Sequence, residues 1–101
     1  MKNIVIPQKV RKVSKLEKKT LSERTVKLME EAGELAAEVL RYQNLKGAKG
    51  KKKAEILYDL HLEAVDTLLM AMDILTYTGA TTKRINKIAN IQLAKWKEGT
   101  K

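Results

Sequence analysis

Two stretches, 27-KLMEEAGELAAEVLRYQN-44 and 55-EILYDLHLEAVDTLLMAMDILTY-77, decide the fold of this chain. In both stretches, apolar residues cover most of a helical wheel and acidic residues recur at helical spacing. Neither stretch has the alternation of apolar and polar residues that a half-buried strand requires. The pattern predicts two long helices, over Leu21–Asn44 and Lys51–Tyr77.

Local signals set the ends of these helices and predict shorter helices beside them. Thr20 and Glu23 match a capping box, and Gly79 suits the left-handed residue that ends a helix. Apolar residues at helical spacing indicate a short helix over about Gln8–Lys19. A third helix is expected over Lys83–Lys97, capped by one of the two threonines that precede it.

The expected fold class is therefore all-α, a helical bundle of two long antiparallel helices with shorter helices around them. The 101 residues suit a single domain, with residues 1–19 as an arm or short helix and residues 20–97 as its core. A chain of this length buries a modest share of its surface, and the apolar arcs of the long helices are wide. We therefore expect oligomerisation to complete the bundle.

The composition narrows the chemistry and the partners. The chain has no cysteine, which excludes disulfides and thiolate ligands and is compatible with a cytoplasmic location. No apolar run reaches the roughly 20 residues of a membrane-spanning helix, and no signal peptide is predicted. The net charge of +9 favours a polyanionic partner, either nucleic acid or a phosphate-rich small molecule.

The acids are concentrated on one face of each long helix, although Lys and Arg outnumber Asp and Glu by 21 to 12. The two acidic stripes are formed by Glu30, Glu31, Glu34 and Glu38 and by Asp59, Glu63, Asp66 and Asp73. A solvated helix face would normally mix the signs, because like charges at i,i+4 oppose helix formation by about 0.2–0.5 kcal/mol. Basic residues appear only at the edges of the first stripe, so the segregation points to a site.

Carboxylates that helix packing brings together, partly out of water, either take up protons or bind a cation. Oxygen ligands without cysteine select a hard ion, so the expected cofactor is Mg²⁺, with Mn²⁺ as the alternative. The one histidine, His61, lies about 160° from Glu63 on the wheel and is not an expected ligand. An acidic helix pair that simply faces solvent is the competing interpretation.

The spacing Glu30-Glu31-x-x-Glu34, followed by Glu63-x-x-Asp66, resembles the motif of the MazG-like all-α nucleoside triphosphate pyrophosphohydrolases. The resemblance covers about residues 20–97. It implies hydrolysis of a (d)NTP to a (d)NMP and pyrophosphate by a homodimer or a dimer of dimers. It also implies that Glu31, Glu34, Glu63 and Asp66 bind the metal. Glu30 matches the motif and is assigned to substrate binding.

The third helix matches this family only in part. Relatives often carry a run resembling K-x-x-x-N-x-x-R-x-W, in which Lys87 and Trp96 keep the spacing. Asn90 comes one position early, and Ala94 stands where the arginine would be. Lys95 is the nearest replacement, although lysine cannot make the bidentate contact of arginine. We expect Lys87 and Lys95 to hold phosphates and Trp96 to contact the nucleobase.

The catalytic hypothesis assigns the general base to Glu34 or Glu38, which would accept a proton from an attacking water. Lysines in the connection Gly47–Lys53 are further candidates for holding phosphates. Three other functions stay open. The chain could be a phosphoribosyl-ATP pyrophosphohydrolase, which shares the fold and a similar motif. It could be a basic helical module that binds nucleic acid, or a catalytically idle relative that acts as an antitoxin-like partner.

Overall fold

The computed structural model describes residues 3–44, 50 and 52–100 of the chain. These residues form four α-helices: α1 (Gln8–Leu16), α2 (Leu21–Gln43), α3 (Lys53–Tyr77) and α4 (Thr82–Gly99). The described residues contain no strand, so the all-α prediction is confirmed. The first helix is shorter than predicted, because the chain becomes extended at Glu17. The predicted start of the second long helix, Lys51, lies outside the described residues.

The predicted capping box sets the beginning of α2. The Thr20 hydroxyl accepts a hydrogen bond from the Glu23 amide at 3.2 Å, and the Glu23 carboxylate accepts one from the Thr20 amide at 3.0 Å. These bonds satisfy amide groups that a helix start leaves without partners. They also lower the pKa of Glu23, because the bond from the Thr20 backbone favours its charged form.

The turn between α3 and α4 depends on Gly79. Its φ of 78° lies in the left-handed region, which residues with a Cβ rarely adopt. The Ala80 amide donates to the Leu75 carbonyl at 2.9 Å, and the Gly79 amide donates to the Thr76 carbonyl at 3.1 Å. These bonds satisfy the last carbonyls of α3. The chain then turns into α4, whose start is capped by the Thr81 hydroxyl.

The two long helices pack against each other with their contacts in opposite chain order. Glu31 of α2 lies beside Glu63 and Asp66 of α3, whereas Arg24, earlier in α2, pairs with Asp73, later in α3. This is the order of contacts in an antiparallel helix pair. Helix α1 packs on α3 as well, where the Ser14 hydroxyl donates to the Asp73 carboxylate at 2.5 Å.

Arg24 is the central tie between α1, α2 and α3. Its side chain is 2% exposed, and its guanidinium donates five hydrogen bonds. Two go to the Asp73 carboxylate and the Ser14 hydroxyl, and three go to the carbonyls of Ser14, Glu17 and Lys19. All five guanidinium N–H groups are therefore used. The guanidinium also stacks over the Tyr77 ring, 4.2 Å from its centroid.

Helix α4 is joined to the segment before α1 by the side chain of Asn86. The Ile4 amide donates to Asn86 Oδ1 at 2.6 Å, and Asn86 Nδ2 donates to the Ile4 carbonyl at 3.0 Å. The neighbouring side chains Ile6 and Ile85 are both buried. One side-chain amide thus satisfies both backbone groups of a residue 82 positions away.

The chain leaves much of its apolar surface uncovered. Within the described ranges, the buried apolar side chains are those of Ile6, Ile56 and Ile85. The accessible surface is 8016 Å², against about 5,800 Å² for a compact monomer of this mass. The radius of gyration is 16.3 Å, against about 13 Å for a compact chain of this length. None of the described helices has the length and apolar character needed to cross a membrane.

Replacing Asp73 by Ala should lower the free energy of unfolding by about 3 kcal/mol, because it leaves the buried Arg24 guanidinium without a counter-charge. Glu55→Ala is the matched control, since it removes an exposed carboxylate from the same helix. Urea denaturation followed by circular dichroism measures both. Equal losses in the two variants would contradict the structural role of the Arg24–Asp73 pair.

Candidate metal centre

Three carboxylates converge at the contact between α2 and α3. One carboxylate oxygen from each of Glu31, Glu63 and Asp66 lies within 4.8 Å of the other two. Glu63 and Asp66 are three residues apart, so α3 presents them on one face. Glu31 approaches that face from α2, and we call these three residues the acidic cluster.

The acidic cluster contains buried oxygens that lack hydrogen-bond partners. Glu31 is 7% exposed, and its Oε1 pairs with Lys27 Nζ at 3.1 Å. Glu31 Oε2 and Glu63 Oε2 are buried, and neither has a hydrogen-bond partner. An unpaired buried polar oxygen is costly, and more so when it is charged. A bound cation would remove this cost.

Partial burial and the close approach of the carboxylates in the acidic cluster change the pKa of Glu63. Its pKa is raised from 4.5 to about 7, first because partial burial disfavours the charged form. Glu34 and Glu31 raise it further, because their carboxylates repel the charged form and hydrogen-bond to the protonated one. In the absence of an ion, the cluster therefore holds a proton near neutral pH.

Glu34, the fourth predicted metal ligand, lies beside the acidic cluster and is not a member of it. Its carboxylate reaches Glu63 closely enough to share a hydrogen bond once one of them is protonated. Its oxygens do not meet the mutual 4.8 Å spacing of Glu31, Glu63 and Asp66. Glu34 is also exposed to solvent. Its position suits proton exchange with water better than closed coordination.

Glu38 and Glu30, at the edges of the first acidic stripe, are each paired with a cation from their own helix. Glu38 Oε1 accepts from Arg41 at 2.5 Å, and its Oε2 is buried without a hydrogen-bond partner. Glu30 is exposed, and its Oε2 lies 3.8 Å from Lys27 Nζ. The charges of both acids are thus partly balanced within α2.

Asp73 lies on the same face of α3 as the other acids of the second stripe, but its carboxylate is not part of the acidic cluster. It is bound by Arg24 and Ser14, one turn or more beyond the acidic cluster along α3. The wheel placed it correctly on the same face as Asp66, but the partner that α2 provides there is a cation. His61 is exposed on α3 and contributes nothing to the acidic cluster.

The predicted substrate contacts of the last helix are exposed on α4. Lys87 and Lys95 are solvent-facing, and Trp96 is 72% exposed. Over the described part of the chain, none of the three forms a hydrogen bond or ion pair with the acidic cluster. Most of the lysine-rich connection predicted over Gly47–Lys53 lies outside the described residues.

A cavity that the sequence did not predict lies beside the acidic cluster. Its volume is about 390 Å³, and it is bounded by α1, the segment after α1, and the facing parts of α2 and α3. Apolar side chains from α1 and α3 line it, together with cationic, acidic and hydroxyl side chains: Val10, Val13, Leu69, Met70, Lys9, Lys19, Arg24, Lys27, Glu17, Asp73 and Ser14. The sequence predicts a helix over α1 from the spacing of its apolar residues, but it does not predict that this helix lies against Leu69 and Met70.

The residues of the acidic cluster fit a hard divalent cation. Every donor is a carboxylate oxygen, which is the ligand that Mg²⁺ and Mn²⁺ prefer. Oxygens that share one Mg²⁺ lie about 3–4 Å apart, and this ion usually keeps several waters. The carboxylate oxygens of the acidic cluster lie within 4.8 Å of one another, so small side-chain rotations or bridging waters would let them share one Mg²⁺.

Comparison with known proteins identifies no relative: no protein-family model, no curated protein and no solved structure matches this chain. The functional interpretation rests on the geometry described above and on the sequence motif.

The raised pKa of Glu63 predicts how the ion-free protein responds to pH. The folded chain keeps a proton that the unfolded chain releases, so this group's contribution to stability is full below about pH 4.5 and is lost as the pH rises through about 7. In the presence of a chelator, the melting temperature of the wild type relative to that of Glu63→Gln should fall across this window. Parallel profiles for the two proteins would contradict the assignment.

Proposed function

We propose that this protein is a Mg²⁺-dependent nucleoside triphosphate pyrophosphohydrolase that converts a (d)NTP to a (d)NMP and pyrophosphate. The observation that supports it most is the convergence of Glu31, Glu63 and Asp66 with buried, unpartnered oxygens. The motif resemblance supplies the reaction class. Since its substrates are cellular nucleotides, we place the enzyme in the cytoplasm.

In this proposal each acid has a distinct role. Glu31, Glu63 and Asp66 hold the divalent ion, which when bound supplies charge neutralisation for the phosphates and an acidified water. Glu34 accepts the proton of the attacking water, because it is exposed beside Glu63 and forms no ion pair with the described basic residues. Glu38 is the weaker candidate for the base, since Arg41 already holds its Oε1.

The cavity beside the acidic cluster suits the organic part of a nucleotide. Its volume of about 390 Å³ lies within the range of small-molecule sites, roughly 300–1,000 Å³. Met70, in its wall, is one helical turn beyond Asp66 on α3, and Lys27, also in its wall, pairs with Glu31 of the acidic cluster. Lys9 and Lys19 add positive charge at the cavity, where phosphates would enter.

We also propose that the active form is a homodimer or a homotetramer. Val26, Met29 and Leu40 are exposed and share an arc of about 60° on α2. On α3, the exposed apolar side chains are those of Tyr58, Leu62 and Val65, which also share an arc of about 60°. Exposed apolar side chains grouped on one face of a helix are typical of a protein interface, and a second copy of the chain would cover them.

A panel of NTPs and dNTPs with Mg²⁺, read for pyrophosphate and monophosphate, tests the proposed reaction. Glu63→Gln should lower turnover at least about a hundredfold, because it replaces a metal-binding oxygen. Glu55→Gln, an exposed acid on the same helix, should leave turnover unchanged.

Three results would redirect the assignment. Turnover of phosphoribosyl-ATP, without turnover of any NTP or dNTP, would favour a phosphoribosyl-ATP pyrophosphohydrolase. A salt-sensitive shift of DNA without pyrophosphate release would favour a basic nucleic-acid-binding module. Full Mg²⁺-dependent activity in Glu63→Gln would exclude the acidic cluster as the catalytic centre.

Sedimentation equilibrium tests the assembly. The wild type should have a mass of twice or four times 11.4 kDa. Leu40→Glu places a charge in the exposed apolar arc of α2 and should shift the protein towards the monomer, whereas Ser22→Glu, at another exposed position of α2, should not. A wild-type mass of one chain at high concentration would overturn this part of the proposal.

A further inference from the structure

Lys27 is the only described cation that contacts the acidic cluster. Its Nζ lies 3.1 Å from Glu31 Oε1, and within the described residues no other basic side chain comes within 4.0 Å of Glu31, Glu63 or Asp66. Lys27 therefore offsets part of the negative charge of the cluster.

The pair is not an ordinary stabilising pair on a helix surface. Lysine four residues before glutamate is the weaker of the two orientations in a helix. Glu31 is also almost fully buried, with a side chain that is 9% exposed, whereas the lysine side chain is 43% exposed. Lys27 is thus the flexible partner, and its ammonium is the group that can move away from the buried Glu31 carboxylate.

Lys27 also lines the cavity beside the acidic cluster. The same flexible side chain borders both the carboxylate that would hold a divalent cation and the space that would hold a nucleotide. A second positive charge on Glu31 is unfavourable, because it would repel a bound divalent ion at short range. Movement of the ammonium towards a phosphate in the cavity removes that repulsion and gains a new ion pair.

We infer that Lys27 is an exchangeable internal counter-ion: it occupies Glu31 in the ion-free protein and moves to a phosphate group of the substrate when Glu31 takes up a divalent cation. This inference rests on the proposed function, because it assigns to Lys27 the task of coupling ion binding to phosphate binding at the same site.

The test measures two affinities in Lys27→Met, with Lys12→Met as a control that removes one exposed lysine from α1. Free Mn²⁺, followed by electron paramagnetic resonance, gives the ion affinity. Without nucleotide, Lys27→Met should bind Mn²⁺ about tenfold more tightly than the wild type, because the competing ammonium is gone. With saturating Mn²⁺, it should bind a non-hydrolysable α,β-imido deoxynucleoside triphosphate about tenfold more weakly. Lys12→Met should change neither affinity.

The opposite signs of these two changes identify an exchange, because loss of a merely repulsive charge would not weaken nucleotide binding at saturating Mn²⁺. Lys27→Arg keeps the charge and should retain both affinities within a few fold. Wild-type Mn²⁺ binding with no change in Lys27→Met would overturn the inference and leave the proposed function standing. Absence of Mn²⁺ binding in the wild type would overturn both.

Discussion

The constraint on which the structure depends is that two mostly apolar helices must pack along a face that also carries charges. Arg24 and Glu31 are seven residues apart on α2, and Asp66 and Asp73 are seven residues apart on α3, so each pair shares a helix face. At one level Arg24 meets Asp73, and opposite charges with complete hydrogen bonding join three helices. At the next level Glu31 meets Glu63 and Asp66, and like charges face each other. The same helix packing therefore gives one contact whose charges are paired, Arg24 with Asp73, and one contact whose like charges are not, the acidic cluster.

The Arg24–Asp73 ion pair keeps the helices close enough for the carboxylates of the acidic cluster to stay together. Carboxylates free to separate would move apart into water, and their mutual repulsion would vanish. The tie from Arg24 to α3 opposes this, because separation of α2 from α3 would break the Arg24–Asp73 ion pair and leave the buried guanidinium without its counter-charge. The raised pKa of Glu63 reports the resulting strain. The ammonium of Lys27 offsets part of this repulsion through its pair with Glu31, and the proposed divalent ion would offset more of it.

The helices and the two acidic stripes could be predicted because local signals encode them, whereas the choice of Glu31, Glu63 and Asp66 within the stripes came from the motif resemblance, which also named Glu34. The capping box at Thr20 and the left-handed Gly79 mark two ends that the structure confirms, and the i,i+3 spacing places Glu63 and Asp66 on one face. The role of Arg24 could not be predicted, since its partners are carbonyls of the preceding loop and an acid 49 residues away. The cavity was hidden for the same reason: it exists only where α1 lies against α3, and no periodicity specifies that placement.

The Asn86 clamp has a consequence for how the molecule opens. Because one side chain bonds both the amide and the carbonyl of Ile4, movement of Asn86 away from the segment before α1 breaks both bonds together. We therefore expect the Ile4 amide and the first turns of α4 to exchange through one local opening, in the sense used for native-state hydrogen exchange.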